Sequence, residues 1–317
     1  MLVAAALGLG ACAAAEEPEE PILISGSATV EPVTSAMAQQ AGADVEITAE
    51  GTIDGFDRFC RGETAINNAS VPIPGQESEV DYQQRCAEHG VDYIELPIGL
   101  DALTLVRNDA LEFADDLSMD QLERLWSAES GVNQWADLNP GWPAEDLALY
   151  GRPEGSGTLR HFVTEVLGEE GEIRQDYQGS DEIDELSGWI AADPAGLGFM
   201  GVGNYLATDG EIRRSLNNVS IDGVAPTLDN AQSRDYPLTR PLFLYVAVDA
   251  LEEQSVHDFV EHYVANVEQT LPRVYYYALP EEAYELIETR LQDRTTGTVF
   301  DGVDPGEADV VELLREG

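Results

Sequence analysis

Three stretches of this sequence repeat one order: a short apolar run, a turn rich in glycine, serine and threonine, and a run with helical spacing of its apolar residues. The stretches occupy residues 22–38, 45–61 and 147–167. A short apolar run bounded by turn residues predicts a buried strand, and an apolar period of about 3.6 residues predicts a helix. Strands that alternate with helices form parallel sheets covered by helices, so we predict an α/β fold.

The turn of the third stretch combines several groups that bind anions. Arg152 lies in the turn, and Ser156, Gly157 and Thr158 lie at the predicted start of the following helix. Free backbone N–H groups at a helix start, hydroxyls and a guanidinium group together attract a negative charge. The stretch therefore predicts an anion site. The alternative is an ordinary turn whose hydroxyls only cap the helix.

Two long extended segments, 94–107 and 236–248, suggest that the chain passes twice between two lobes. We expect lobe 1 to contain residues 21–100 and 240–317, and lobe 2 to contain residues 101–239. A ligand of such a fold lies in the cleft between the lobes, at the carboxyl ends of the strands.

The charge composition is strongly one-sided. The chain has 61 Asp and Glu residues against 16 cationic residues, all of them arginine, and its formal net charge is −45. No basic face can be assembled from so few cations, which excludes nucleic acid as a partner. Two explanations for the acidity remain open: adaptation to high salt, where self-repulsion is screened, or an acidic proteome.

The N-terminal segment predicts export. Residues 2–11 form an apolar run that is too short to span a bilayer, and the run ends in Leu9-Gly10-Ala11-Cys12. This ending resembles a bacterial lipoprotein signal, in which the peptide is cut before the cysteine and Cys12 is lipidated. We expect residues 1–20 to be this signal and an acidic tether. The alternative is an internal helix.

Export changes how the other two cysteines are interpreted. Cys60 and Cys86 are the only cysteines besides Cys12, and an even pair in an exported protein predicts a disulfide. Closing a loop of this length would stabilise the fold by about 3–4 kcal/mol. Two buried free thiols are the alternative. Two cysteines and four scattered histidines show no metal-ligand spacing, so we predict no metal site.

Taken together, several motifs resemble those of one known family, the phosphate-binding proteins of the bacterial Pst-type ABC importer. The motifs follow the family's order along nearly the whole mature chain. They are found at residues 25–32, 55–64, 67–70, 152–158, 195–199, 236–242 and 296–300. The resemblance implies a two-lobed periplasmic-binding-protein fold of type II, with two hinge crossings and the ligand in the interlobe cleft.

The resemblance also implies a function. It implies that the protein captures inorganic phosphate outside the cytoplasm and delivers it to the membrane permease subunits of an ABC transporter, as a lipid-anchored monomer without enzymatic activity or cofactor. The phosphate contacts that it implies in this sequence are Thr29, the backbone of Val30, Thr52, Ser70, Arg152, Ser156, Gly157 and Thr158.

This chain departs from the family near Ser70, where some members have an aspartate that could accept the proton of phosphate. Asp54 and Glu154 are the nearest candidates for that acceptor in the sequence, and we expect Glu154 to pair with Arg152 and orient it. Two other functions remain open. The ligand could be another oxyanion such as sulfate, molybdate or tungstate, or Ser156 could be the nucleophile of a hydrolase. The sequence around Ser156 does not match the nucleophile motif, and we expect His161 to be a solvated surface residue.

Overall fold

The structure of the protein is a computed structural model, and it describes residues 20–168, 171–303, 306 and 308–317. The predicted signal and most of the tether, with Cys12, lie outside the described residues. Among the helices described, none has both the length and the apolar character needed to cross a membrane.

Ten strands form one curled mixed sheet. The strands are β1 (Ile22–Gly26), β2 (Val45–Thr48), β3 (Ile66–Ala69), β4 (Tyr93–Asn108), β5 (Asp116–Leu117), β6 (Ala148–Gly151), β7 (Gln178–Gly179), β8 (Gly196–Gly201), β9 (Leu216–Ile221) and β10 (Thr239–Ala247). The order of the strands in the sheet is β2-β1-β3-β10-β4-β8-β6-β7, and β9 joins the sheet by pairing with both β4 and β5.

Helices cover the sheet on both sides of its crossing strands. The α-helices are α1 (Glu31–Ala41), α2 (Thr52–Cys60), α3 (Tyr82–Glu88), α4 (Met119–Trp126), α5 (Trp135–Leu138), α6 (Gly157–Leu167), α7 (Ile183–Ala192), α8 (Val202–Ala207), α9 (Gly210–Arg213), α10 (Leu228–Gln232), α11 (Gln254–Thr270), α12 (Glu281–Gln292) and α13 (Val310–Glu316). Three short 3-10 helices lie at Glu112–Ala114, Asp249–Glu252 and Leu271–Val274.

The long strand β4 joins the two halves of the sheet. Nine of its first ten residues pair antiparallel with β10, all except Ile98, and its last residues pair with β8 and β9. The register between β4 and β10 shifts by one residue at Leu242/Phe243, opposite the segment that contains Pro97 and Gly99. This irregularity is a β-bulge, which bends the strand.

The buried side chains form two main clusters on either side of this crossing. The first core contains apolar residues from 22 to 100 and, apart from Ala231, from 242 to 314. The second core contains apolar residues from 103 to 238. The polypeptide therefore leaves the first core along β4 and returns to it along β10.

The three predicted stretches of strand, turn and helix are present as β1 with α1, β2 with α2, and β6 with α6. Helix α2 begins at Thr52, directly after Gly51. In the segment ahead of α7, the Ser180 hydroxyl accepts a hydrogen bond from the Glu182 N–H. Near the C-terminus, the Asp309 side chain accepts hydrogen bonds from two backbone N–H groups in the first turn of α13.

The predicted disulfide between Cys60 and Cys86 is confirmed. It joins the end of α2 to α3 across a sequence separation of 26 residues, and both cysteines are fully buried in the first core.

Candidate anion-binding site

Two glycines bring the ends of β1, β3 and α2 close together. Gly26 ends β1 with φ +114°, and a Cβ atom placed there would lie 2.1 Å from the carbonyl oxygen of Asn68. A Cβ on Gly55 of α2 would lie 2.4 Å from the Cα of Gly26. Only glycine permits such an approach of two backbones. The turns that follow β1, β2 and β3 are therefore neighbours at one edge of the sheet.

A cavity of about 450 Å³ opens between this edge and the start of α6. Its wall contains five of the predicted site residues, which come from both sides of the crossing strands. The lining residues are Ala28, Thr29, Pro32, Asp101, Arg152, Gly155, Ser156, Gly157, Thr158, Asp181, Ile183, Gly201, Gly203, Asn204, Ala207, Val274, Tyr275 and Tyr276.

Arg152 points its guanidinium group along the wall of this cavity. Nη1 donates to the backbone oxygen of Asp181 at 2.8 Å, and Nη2 donates to the Asp181 carboxylate at 2.9 Å. The Nε atom is buried and has no hydrogen-bond partner among the described residues. The side chain is 14% exposed, so its charge faces the cavity with little water around it. Arg152 thus offers a fixed positive charge in the wall of the cavity.

The start of α6 supplies further donors. Ser156 is the N-cap residue, and its hydroxyl does not cap the helix. The first backbone hydrogen bond that enters the helix runs from the Arg160 N–H to the Ser156 carbonyl at 3.1 Å. The N–H groups of Gly157 and Thr158 precede it, and such groups lack partners within their own helix. The helix dipole adds a partial positive charge of about half a unit at this end.

The turn after β1 faces the start of α6 across the cavity. A Cβ on Gly157 would lie 3.3 Å from the hydroxyl oxygen of Thr29, so the two segments are almost in contact. The Tyr276 hydroxyl donates to the Thr29 carbonyl at 2.7 Å and fixes this turn. Burial and the charge of Asp101 raise the pKa of Tyr276, which keeps the phenol protonated as a donor. The Val30 N–H is already used, because it donates to the Ser27 carbonyl at 3.1 Å.

Thr52 and Ser70 contact each other rather than lining the cavity. Their hydroxyl oxygens are 3.2 Å apart, and the Ser70 N–H donates to the Thr52 hydroxyl at 3.1 Å. Both residues are buried. They lie at the same edge of the sheet as Thr29, because β1 pairs with both β2 and β3.

The two residues that the sequence predicted as acceptors of the phosphate proton, Asp54 and Glu154, do not lie in the wall of the cavity. Both residues are exposed. The expected pair between Glu154 and Arg152 is corrected by the structure, since the guanidinium group reaches forward to Asp181 instead. Asp181 is 29 residues away in sequence, so local spacing could not indicate it.

The expectation for His161 was also wrong. This residue of α6 is 3% exposed, and neither of its ring nitrogens has a hydrogen-bond partner among the described residues. Its Nδ1 is 3.9 Å from an Asp101 oxygen, and its Nε2 is 3.7 Å from a Glu165 oxygen. Burial, followed by the positive charges of Arg240 and Arg234, lowers the pKa of His161 well below its ordinary value. The imidazole is therefore neutral near pH 7.

Sequence reasoning missed the carboxylate of Asp101. It lies on β4 and faces Arg240 directly across the β10 pairing, and the Arg240 Nε and Nη2 atoms donate to its Oδ2 at 3.1 and 3.0 Å. The signal was present in the sequence, because Asp101 is one of only two acids, with Glu95, within the long and mostly apolar extended segment 94–107. A charge at such a position needs a partner or a ligand.

Comparisons with known proteins agree with this architecture. The model of the PBP superfamily domain matches residues 13–266. The chain is 34% identical to the protein SphX of Synechocystis over 98% of this chain and 93% of that protein. It is 26% identical to the phosphate-binding protein PstS of Staphylococcus saprophyticus, over 92% of each chain.

Solved structures with a similar fold include proteins with related names. A possible phosphate binding protein from Planctomyces limnophilus superposes with a TM-score of 0.74 at 29% identity, covering 87% of this chain and 99% of that one. An ABC-type phosphate transport receptor from Vibrio cholerae has a TM-score of 0.65 at 19% identity, covering 82% of this chain and all of that one, which supports the fold alone. The architecture is thus the two-lobed type II fold. The chain belongs to the PBP superfamily and, within it, to the family of the Pst-type phosphate-binding proteins.

Proposed function

We propose that this protein binds inorganic phosphate in the cavity between its two lobes and delivers it to the permease subunits of an ABC transporter. The observation that carries the proposal is the convergence on one cavity of Arg152, the uncapped start of α6 and the turn at Thr29. These groups come from both sides of the crossing strands. A ligand that touches all of them would hold the lobes together.

The charges of the site suit a small anion. The starts of α1 and α6 each offer about half a positive charge, and the Arg152 guanidinium adds a full charge that Asp181 only partly offsets. The net charge of −45 repels an anion at long range. Screening limits that repulsion to about 8 Å at physiological salt.

We further propose that Thr52 and Ser70 contact the anion after a small rearrangement. Their hydroxyls are hydrogen-bonded to each other at the edge of the sheet that carries Thr29. Each hydroxyl can both donate and accept, so rotation toward an anion would exchange this bond for a bond to the ligand. We also propose that lobe 1 contains residues 21–100 and 240–317 and that lobe 2 contains residues 101–239, because the two main clusters of buried apolar side chains divide near these bounds.

A hydrolase that uses Ser156 is disfavoured by the surroundings of His161, which lies five residues further along the chain. Both ring nitrogens of His161 lack a hydrogen-bond partner in the described part of the chain, so His161 does not contact the Ser156 hydroxyl as a base. We therefore propose that the protein is a binding protein without enzymatic activity.

The test of this proposal is calorimetry with inorganic phosphate, combined with an assay for hydrolysis of p-nitrophenyl phosphate on the same sample. We expect one phosphate per chain and no turnover. Turnover without stoichiometric binding would contradict the proposal.

We also propose that the protein acts as a monomer outside the cytoplasm, anchored to the membrane through a lipid on Cys12. The basis is the sequence at residues 9–12. Expression of the wild type and of Cys12→Ala in a bacterial host, followed by membrane fractionation, tests the anchor. We expect only the wild type in the membrane fraction, and equal distribution of both proteins would contradict the anchor.

A further inference from the structure

One fully buried carboxylate lies outside the cavity. Glu95 is on β4 and is 0% exposed. Its Oε2 atom accepts hydrogen bonds from the Tyr245 and Thr298 hydroxyls, both at 2.6 Å. Its Oε1 atom accepts a hydrogen bond from the Val299 N–H at 2.9 Å. A carboxylate is costly to bury, and three donors from two distant segments surround this one, so the arrangement requires an explanation.

Two of these donors belong to the motif at residues 296–300, no residue of which lines the cavity. The Arg290 guanidinium group ties this motif to β4. Its Nη2 atom donates to the Gly297 carbonyl at 2.7 Å, and its Nε atom donates to the Glu95 carbonyl at 3.1 Å. The motif therefore packs against Glu95 rather than against the ligand.

The Tyr245 hydroxyl connects Glu95 to the segment at residues 70–73, which follows β3. Its oxygen accepts a hydrogen bond from the Ile73 N–H at 2.8 Å, and its proton is donated to Glu95. The direction of these two bonds is fixed, because a backbone N–H can only donate. Burial and the charge of Glu95 raise the pKa of Tyr245 well above its ordinary value, so the phenol keeps its proton. Glu95 therefore acts on Ile73 through one hydroxyl.

The segment begins with Ser70, one of the predicted phosphate contacts. Hydroxyl groups hold it at both ends, because the Ser70 N–H donates to the Thr52 hydroxyl at 3.1 Å and the Ile73 N–H donates to Tyr245. A longer bond of 3.4 Å runs from the Gln83 amide to the Ile73 carbonyl. The position of Ser70 therefore depends on side chains that do not line the cavity.

We propose that Glu95 and Tyr245 are positioning residues for phosphate binding, which hold the segment at residues 70–73 so that Ser70 can reach the anion. Neither residue lines the cavity. This inference rests on the proposed binding of phosphate and on the proposed contact of Ser70, and it adds the side chains that prepare that contact. A segment that is ordered before the ligand arrives loses less conformational freedom on binding, which favours affinity.

The variant Tyr245→Phe tests this role, because it removes one hydroxyl and keeps the ring. We expect phosphate to bind about 5- to 30-fold more weakly, as for about one backbone residue that must become ordered on binding. Hydrogen exchange of the Ile73 amide, followed by NMR, should accelerate at least about tenfold. The amides of β8, in the second core, should keep their exchange rates.

Tyr93→Phe is the matched control. The Tyr93 ring packs against the Tyr245 ring with 5.8 Å between their centroids, so the same change is made in the same surroundings. In the described part of the chain, the Tyr93 hydroxyl makes no hydrogen bond to residues 70–73. This variant should keep the wild-type phosphate affinity and the wild-type exchange rate of Ile73.

A double-mutant cycle with Ser70→Ala separates positioning from a general loss of stability. If Tyr245 acts through Ser70, the double variant should bind phosphate no more weakly than the weaker single variant, within about twofold. Independent effects would multiply instead, and that result would overturn the inference. Wild-type affinity in Ser70→Ala would also overturn it.

Glu95→Gln is a second variant, which keeps the shape of the side chain and turns one acceptor into a donor. The new amide would face a hydroxyl or the Val299 N–H, so we expect the pattern of Tyr245→Phe. If Glu95→Gln fails to fold, Tyr245→Phe still decides.

The outcomes separate this inference from the proposed function. A wild type that binds no phosphate contradicts the proposed function and this inference with it. Unchanged phosphate affinity in Tyr245→Phe contradicts only the positioning role. Weaker binding with an unchanged exchange rate of Ile73 also contradicts that role, since the hydroxyl would then not hold the segment.

Discussion

A Cβ atom placed on Gly203 would lie 2.2 Å from the carbonyl oxygen of Tyr275. Gly203 belongs to α8, on the side of the second core, and Tyr275 follows the 3-10 turn that ends α11 in the first core. Tyr275 itself has φ +66°, a left-handed conformation that is uncommon for a residue with a side chain. Both residues line the mouth of the cavity. The two lobes therefore approach each other there through a backbone contact that only glycine allows.

Replacing Gly203 by alanine should weaken phosphate binding, because the added methyl group would hold the lobes apart in the bound state. Overpacking of this kind costs about 1–3 kcal/mol, or about 5- to 150-fold in the dissociation constant. Calorimetry measures the change. Gly201→Ala is the control, since the nearest atom to its Cβ would be 3.8 Å away. Equal affinities of the two variants would show that the contact does not limit closure.

Arg152 is expected to be the largest single contributor to anion affinity. Arg152→Ala should weaken phosphate binding by about 2–5 kcal/mol, because it removes a charged donor whose side chain is only 14% exposed and leaves the anion uncompensated. Arg160→Ala is the control from the same helix region, since Arg160 is exposed and does not line the cavity. A loss below tenfold in Arg152→Ala, measured by phosphate titration, would place the anion elsewhere.

The sequence predicted those features of the site whose residues lie close together along the chain. The turn with Arg152, Ser156, Gly157 and Thr158 could be identified because free helix-start donors, hydroxyls and a guanidinium group follow one another within a few residues. The pairing of Cys60 with Cys86 followed from their number and from the predicted export. In both cases the decisive chemistry lies in composition and short spacing.

Contacts between distant segments were not predictable in the same way. The partner of Arg152 is Asp181 on another turn, and Asp101 meets Arg240 only because β4 and β10 pair in one register. His161 lies on the buried face of α6, and a single histidine in a helix does not show whether its face meets water or another strand. Strand register and the packing of helices depend on the whole core. A pattern of a few residues in the sequence does not carry that information.

Reduction of the disulfide between Cys60 and Cys86 should destabilise the protein. Opening a loop of 26 residues restores chain entropy to the unfolded state, which corresponds to about 3–4 kcal/mol. Urea unfolding with and without a reductant measures the difference at constant salt. The double variant with alanine at both positions is the control, because the reductant should leave its midpoint unchanged. Equal midpoints for the oxidised and reduced wild type would contradict this prediction.

The acidity of the chain predicts a strong response to salt. With 61 acidic residues against 16 arginines, repulsion between carboxylates opposes the compact state. Raising the salt from about 0.1 M to 1 M shortens the screening length from about 10 Å to 3 Å, so stability should rise. Urea midpoints over a series of sodium chloride concentrations test this. A constant midpoint would favour an acidic proteome over adaptation to high salt.

Acid should destabilise the protein partly through His161. Burial and the charges of Arg240 and Arg234 lower the pKa of this histidine well below its ordinary value of 6.5, so the folded state keeps the imidazole neutral. The carboxylates of Asp101 and Glu165 also face the ring, on β4 and α6. The negative charges of these two carboxylates do not offset the cost of removing a charged imidazolium ring from water. The unfolded state therefore binds one proton more than the folded state at pH values between the lowered pKa and 6.5.

Stability then falls as the pH decreases through this window, by at most about 1.4 kcal/mol per pH unit from this one group. His161→Leu removes the titrating ring, so its free energy of unfolding should depend less steeply on pH between about 6.5 and 5 than that of the wild type. Urea unfolding at a series of pH values measures both slopes. His89→Gln, at the exposed end of α3, is the control and should keep the wild-type slope. Parallel slopes for the wild type and His161→Leu would mean that His161 does not contribute to acid sensitivity.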